Sequence, residues 1–260
     1  MNKKRRPRNT NGYKRSKMFK NLMLLLSMSI YLIKSLTVIN HISKIKDIDK
    51  ADALVAEVAR EWGQKLIKEA GGEVVVIGQE ILNNTSTVCF ISNHQSLFDI
   101  PLILGYIDKP KAFLAKIEIL KVPILSKWMQ LMHCVFIDRK NIRQSVKAIR
   151  EATQNLTNGY SMVVFPEGTR GAQGKLGEFK HGGFKMAVSS GVPIVPISID
   201  GAYKFFEGQK KGMGKVKVRL VIGNQIETRG LSKQEISALP DKVREVIASN
   251  LTDVNLININ

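Results

Sequence analysis

Three short runs hold residue types that can do chemistry, and each follows an apolar stretch. In the first, Asn93-His94-Gln95-Ser96-Leu97-Phe98-Asp99 comes directly after the run TVCFIS at 87–92. On one continuous helix a residue five positions on lies about 140° round the axis. His94 and Asp99 therefore meet only if the histidine is on the loop and the aspartate is in the opening turns of the next helix. Asp99 would then accept a hydrogen bond from one imidazole nitrogen, fix the tautomer and leave the other nitrogen as a base. That is two-thirds of a catalytic triad, the nucleophile being the substrate's own hydroxyl. The competing reading is a structural loop histidine beside a helix cap. No second histidine stands nearby at ligand spacing, so no metal site is expected.

The second run is Phe165-Pro166-Glu167-Gly168-Thr169-Arg170-Gly171. Gly168 and Gly171 permit close backbone approach, and N–H groups exposed there can hold an anion. Arg170 offers a planar fork suited to phosphate. Glu167 would orient a substrate hydroxyl or brace Arg170; a plain turn with a surface ion pair is the alternative. The third run, Val135-Phe136-Ile137-Asp138-Arg139, ends in a charged pair and makes Arg139 a second phosphate candidate, or half of a surface pair. A fourth, 192–197 (VPIVPI), is apolar and carries no chemistry. It reads as a core strand or as the lining of an acyl channel.

These runs need a scaffold. Apolar spacing predicts a helix over 51–70, ended by Gly71-Gly72, and the β-rich runs 73–78 and 87–92 predict strands. Further helices are expected at 98–106, with Pro101 in the first turn, at 145–156, and at 180–190 before Gly191. Strands are expected at 135–138, 161–165 and 215–222. A strand at 194–199, flanked and interrupted by Pro193 and Pro196, is placed near an edge or a bulge. Ser232 and Glu235 form a capping box that opens a last helix, which Pro240 would bend. The end, NLININ, reads as frayed. Strands alternate with helices from residue 73 onward, which is an α/β layer with a central sheet covered by helices.

The 260 residues carry 40 Lys+Arg against 22 Asp+Glu, a net charge of +18. Half of it, nine cations with no acid, lies in residues 1–20. Such a charge seeks an anionic partner. The next run, LMLLLSMSIYLI at 22–33, would rise roughly 18 Å as a helix, short of the ~30 Å hydrocarbon core. Extending it to Ile39 reaches a spanning length but takes in Lys34. A transmembrane span and a helix lying in the interface both fit an apolar helix beside a polybasic patch. A cleaved signal peptide fits poorly, because no small-residue cleavage site follows. The basic tail sets only Tyr13 and Phe19 among its nine cations, and nucleic acid is not the partner expected of it. Cys89 and Cys134 sit in apolar runs and read as buried thiols of a reducing compartment.

The four runs, in this order, resemble the glycerolipid acyltransferase family. Its first motif is N-H-x4-D, here Asn93, His94 and Asp99. The second ends in F-I-D-R, here 136–139; the third is F-P-E-G-T-R, here 165–170; the fourth is V-P-I-V-P, here 192–196. The resemblance spans roughly 73–225. It implies a glycerol-3-phosphate acyltransferase-like fold, a central mixed sheet covered by helices, with an N-terminal membrane-associated helical segment. The domains would be a basic tail (1–20), a membrane-associated helical region (21–72) and an α/β acyltransferase domain (73–260). His94 would be the general base, oriented by Asp99. Arg139, Glu167, Gly168 and Arg170, with Thr169 among them and Lys116 beside them, would bind the acceptor's glycerol phosphate. The implied reaction carries an acyl group from an acyl thioester, of acyl carrier protein or coenzyme A, to 1-acyl-sn-glycerol-3-phosphate. Oxyanion donors would be backbone N–H groups near the first motif or an ordered water. No cofactor and no metal are implied. The partners would be membrane lipids, the lysophospholipid and an acyl carrier protein, at the cytoplasmic face of a bacterial inner membrane. Another lysolipid acceptor and a non-catalytic membrane-surface protein are the alternatives. One departure bears on this. Many members carry glycine three residues before Phe136, and here His133 stands there, at the expected wall of the phosphate site.

Overall fold

The computed structural model describes residues 26, 29–31, 33–83, 85–171, 175–205 and 215–252. The basic tail, most of the apolar run at 22–33 and the NLININ end lie outside them.

A helix over 33–42 (α1) leads through a short turn into α2 (Ile48–Glu69). Asp47 caps α2 by accepting from Lys50 N at 3.1 Å. The buried stripe Ala59, Gly63, Leu66 and Ile67 recurs at helical spacing on the side of α2 that meets α3 (Asp99–Tyr106). The two helices cross in near contact at Gly63 and Gly105. A methyl group on Gly63 would stand 2.5 Å from the Pro101 carbonyl oxygen, so only glycine fits. The N-terminal arm also forms a small core of its own. Ile39, Ile42, Val55 and Trp128 pack together, and Trp128 Nε1 donates to Ser35 Oγ at 2.7 Å.

The strands are β1 (Gly72–Ile77), β2 (Cys89–Ser92), β3 (Ala112–Lys116), β4 (Val135–Ile137), β5 (Met162–Val164), β6 (Ile194–Asp200) and β7 (Val216–Ile222). They form one seven-stranded sheet in the order β1-β7-β6-β2-β5-β3-β4. Every neighbouring pair is parallel except β6 and β7. The sheet is thus mixed, and β2 to β6 all end at one edge. The remaining helices are α4 (Pro123–Leu131), α5 (Ile142–Thr157), α6 (Gly182–Ser190) and α7 (Lys233–Ser249). α5 packs on α6 and α6 on α7. The main core is continuous, and Phe90, Ile91, Met162, Val163, Ile194 and Val195 on the middle strands are wholly buried. Each such side chain is worth about 1.5–3 kcal/mol of hydrophobic transfer.

Several expectations need correction. β6 is not an edge strand; it lies between β7 and β2 and is buried along its first six residues. Its prolines cost little where they stand. Pro196 directs its carbonyl to Gly223 N, 2.8 Å away, just past the end of β7. Pro196 thus lies between the regular β6–β7 ladder, which ends at Ile197 opposite Ile222, and the Ile194–Ile226 bridge, where the pairing is offset by one residue, an irregularity that tolerates a missing N–H. The last helix opens on the expected capping box and runs on through a buried Pro240. The region 107–134, which sequence patterning left unread, supplies both β3 and α4.

Candidate active site

Three of the four motif loops leave the sheet at the edge where the parallel strands end, which is where an α/β sheet opens a crevice. β2 delivers Asn93 and His94, β4 delivers Asp138 and Arg139, and β5 delivers the loop 165–171. β3 ends on Lys116 at the same edge.

Asn93 is almost wholly buried and fixes the exit of β2. Its Nδ2 donates to the Ile199 carbonyl at 2.9 Å, and its Oδ1 accepts from Ile199 N at 2.8 Å. His94 then stands on the loop and Asp99 at the first residue of α3. His94 Nδ1 lies 2.7 Å from Asp99 Oδ2. The same oxygen accepts from Gln95 N at 2.5 Å and Ser96 N at 2.8 Å. Asp99 is fully buried, whereas the His94 side chain keeps 17% of its surface open. Burial pushes the Asp99 carboxyl above its ordinary value, and the imidazole and the two amides oppose that rise. The His94 ring stacks on Phe165, with centroids 4.2 Å apart. With Nδ1 held by Asp99, Nε2 is the nitrogen left for a substrate.

Glu167 is buried, at 6% exposure, and both carboxylate oxygens are engaged by the main chain. Oε1 accepts from His94 N at 2.7 Å, and Oε2 from Gly177 N at 2.9 Å. The His94 carbonyl in turn accepts from Gly171 N at 2.8 Å. Burial raises the Glu167 carboxyl above the usual carboxylate value, against the two amide donors. The first and third motifs are therefore tied together through main-chain groups. The amides of His94, Gln95 and Ser96 are all committed to carboxylates. This removes the nearest first-motif backbone donors from service as an oxyanion hole.

The cationic residues surround the loop 168–170. Arg139 Nη1 donates to the Gly168 carbonyl oxygen. Burial lowers its guanidinium value, and Glu118 opposes this. Lys116 is exposed and pairs with Glu118 at 3.2 Å. Thr169 and Arg170 are exposed. Gly168 has φ +72°, and a side chain built there would meet Lys180 Nζ at 3.2 Å. The sequence motifs do not point to Lys180, Gly177, Asn93's contacts or Phe165's stacking, and Gly171, expected to offer its N–H to an anion, gives it to the His94 carbonyl. Asn93 and Phe165 are themselves motif residues, which is the one signal in the sequence that marks them. Among the described residues no three His, Cys, Asp or Glu side chains cluster as metal ligands do.

His133 is placed otherwise than expected. It precedes β4, at the end of that strand remote from Arg139. Its Nε2 lies 2.8 Å from Asp52 Oδ1 on α2, and its ring stacks on Tyr160 at 4.0 Å. Its φ is +57°, in the left-handed region that glycine enters without strain. The position calls for a turn conformation, and its side chain is not part of the phosphate wall.

A family model described as Acyltransferase matches residues 73–200, which contain all three chemical motifs. A probable 1-acyl-sn-glycerol-3-phosphate acyltransferase of Mycoplasma genitalium is 35% identical over 195 residues, 70% of this chain and 72% of that protein. The chain belongs to the acyltransferase family. A 1-acyl-sn-glycerol-3-phosphate acyltransferase of Borreliella burgdorferi is 30% identical over 72% of this acyltransferase and 75% of its own length. The crystal structure of the 1-acyl-sn-glycerophosphate (LPA) acyltransferase PlsC from Thermotoga maritima superposes with a TM-score of 0.77 at 30% identity. That match covers 91% of this acyltransferase and 96% of the other chain. The likeness thus extends beyond the motifs into the helical N-terminal arm.

Proposed function

We propose that this acyltransferase moves a fatty acyl group from an acyl thioester to the free hydroxyl of 1-acyl-sn-glycerol-3-phosphate and so makes phosphatidic acid. The observation that carries the reading is the His94–Asp99 pair, 2.7 Å apart, beside a loop ringed by Arg139, Arg170 and Lys180, in a chain whose relatives bear that activity in their names.

His94 Nε2 accepts the hydroxyl proton while the hydroxyl oxygen attacks the thioester carbonyl carbon. Asp99 stabilises the imidazolium so formed. The tetrahedral intermediate collapses, the C–S bond breaks, and the proton on His94 passes to the departing thiolate. A general base supplies about 10²–10⁴-fold of rate. Arg139, Gly168, Thr169 and Arg170, with Lys116 at the margin, receive the acceptor phosphate. Arginine forks suit that dianion. No cofactor enters the scheme, and the thioester is a co-substrate on acyl carrier protein or coenzyme A.

The reading places the chain at the cytoplasmic face of a membrane, with 1–20 as a basic tail, 21–72 as a membrane-associated region and 73–260 as the catalytic domain. Support comes from the exposed apolar side chains Leu26, Ile30 and Ile33 on the N-terminal helical stretch. No described helix is long and apolar enough to cross a bilayer. His133, the residue that argued for a different acceptor, stands away from the phosphate loop.

The test is an acceptor panel. Vesicle-bound protein is given an acyl thioester with 1-acylglycerol-3-phosphate, a lysophosphatidylcholine or an amino-acid-containing lysolipid. Turnover of the first at least tenfold above the others supports the reading. Faster turnover of another lysolipid overturns it.

A further inference from the structure

We infer that Glu167 and Arg244 are positioning residues for the base, acting through one hydrogen-bonded chain that runs from α7 to His94. This rests on the acyl-transfer reading above and assigns to Glu167 a task other than holding acceptor.

The chain has four members. On α7, half-buried Arg244 donates from Nε to the Gly177 carbonyl at 2.9 Å and from Nη2 to the Leu176 carbonyl at 3.5 Å. Gly177 N, in the same peptide unit as the Leu176 carbonyl, donates to Glu167 Oε2 at 2.9 Å. Glu167 Oε1 accepts from His94 N at 2.7 Å. A carboxylate accepts at both oxygens and donates at neither. Glu167 therefore suits a place between two main-chain N–H groups that would otherwise be buried without partners. A cation at the far end of the peptide strengthens the chain by polarising it.

The geometry leaves Glu167 little means of binding substrate. Both of its oxygens are engaged, and its side chain is nearly closed to solvent. What it controls is the main chain of His94. The Asp99 contact fixes the imidazole ring, while the Glu167 contact fixes the backbone from which that ring projects. Two further bonds restrain the main chain at His94: Gly171 N, from the same loop as Glu167, donates to the His94 carbonyl, and Ser92 Oγ donates at 3.1 Å to the Asn93 carbonyl in the peptide unit of His94 N. Loss of Glu167 removes the bond to His94 N and the brace between that peptide and the loop that carries Gly171. A displacement of about 1 Å at a reacting group can cost about 10²-fold in rate.

Space around Gly177 agrees. A side chain built on Gly177 would stand 3.1 Å from Glu167 Oε2, tighter than ordinary contact, so bulk there pushes on the carboxylate.

The experiment uses the full-length protein in vesicles with the best acceptor from the panel, and it compares Glu167→Gln, Arg244→Ala, Arg244→Lys and the Glu167→Gln/Arg244→Ala double variant. Glutamine keeps the shape of glutamate but sets an NH₂ group against one of the two amides. The expected result for Glu167→Gln is a fall in kcat of about tenfold to 10²-fold, with the acceptor KM within twofold of wild type. Arg244→Ala lowers kcat severalfold, Arg244→Lys restores most of it by keeping a donor, and the double variant is little worse than Glu167→Gln alone. That non-additivity is the signature of one shared chain. A rise in acceptor KM with kcat unchanged on Glu167→Gln would make Glu167 an acceptor ligand and overturn the proposal. Multiplicative effects in the double variant, or an Arg244→Ala enzyme with wild-type kcat, would remove Arg244 from it. Melting curves are taken for each variant. A kcat loss that follows lowered stability and that Arg244→Lys does not rescue marks a merely structural role and also overturns it. An inactive wild type refutes the acceptor assignment instead, before any variant is compared.

Discussion

Asp99 Oδ2 receives three donors at once: His94 Nδ1 at 2.7 Å and the main-chain amides of Gln95 and Ser96 at 2.5 and 2.8 Å. One buried oxygen thus sets both the imidazole orientation and the shape of the turn that carries it. Asp99→Asn keeps that volume and an acceptor oxygen but removes the charge that favours the imidazolium. Its kcat is expected to fall about 10²–10⁴-fold with the melting temperature nearly kept. Asp99→Ala should lose activity and stability together, because unpaired buried donors cost about 1–3 kcal/mol each. Steady-state rates beside thermal melts check both.

Arg170 offers the cleaner test of acceptor binding. It is exposed, whereas Arg139 also holds the Gly168 carbonyl. Arg170→Ala is expected to raise the acceptor KM about tenfold or more, the worth of one charge-assisted hydrogen bond, with a smaller change in kcat. Arg170→Lys keeps the charge, loses the fork and falls between the two. Equal losses in kcat with an unchanged KM would place Arg170 outside phosphate binding.

The scaffold was legible where local chemistry decides it. The alternation of apolar runs with helical stripes gave the α/β layer, and the H-x4-D spacing required a loop histidine before a helical aspartate. It was illegible where long-range geometry decides. From its prolines β6 reads as a strand near an edge or at a bulge; it is central, and Pro196 falls where the pairing with β7 shifts by one residue between Ile197–Ile222 and Ile194–Ile226. β3 is five residues, the last of them Lys116, too short to show a period. Glu167 acts on two main-chain amides, and such partners leave no mark in a sequence. Arg244 meets Gly177 only because α7 packs back over the sheet.

His133 separates a turn requirement from a substrate contact. His133→Ala loses the 2.8 Å pair with Asp52 and keeps the positive φ, so a stability loss of about 1–2 kcal/mol is expected. His133→Gly loses the same pair but relaxes the backbone, and should be less destabilised than the alanine variant. The acceptor KM should match wild type in both. A shifted acceptor KM would return His133 to the phosphate site.

Lys111 links stability to pH. Its Nζ donates to the Ile107 carbonyl at 2.7 Å, and burial draws its ammonium down to about 7. An unfolded lysine titrates near 10.4. Between those values the unfolded chain binds more protons, so this group's contribution to stability rises with pH; below about 7 its penalty is fully in place. The melting temperature of Lys111→Met minus that of wild type is therefore expected to fall by a few degrees from pH 7 to pH 10. A difference that is flat across that range would mean Lys111 keeps an ordinary value in the folded protein.

The central claim is that His94 is the base for acyl transfer to 1-acylglycerol-3-phosphate. The most direct test is phosphatidic acid formation from an acyl thioester and that acceptor, by wild type and by His94→Ala, with both proteins folded and vesicle-bound. The account predicts product from wild type and a loss of about 10²–10⁴-fold in the variant. A variant as active as wild type would contradict it.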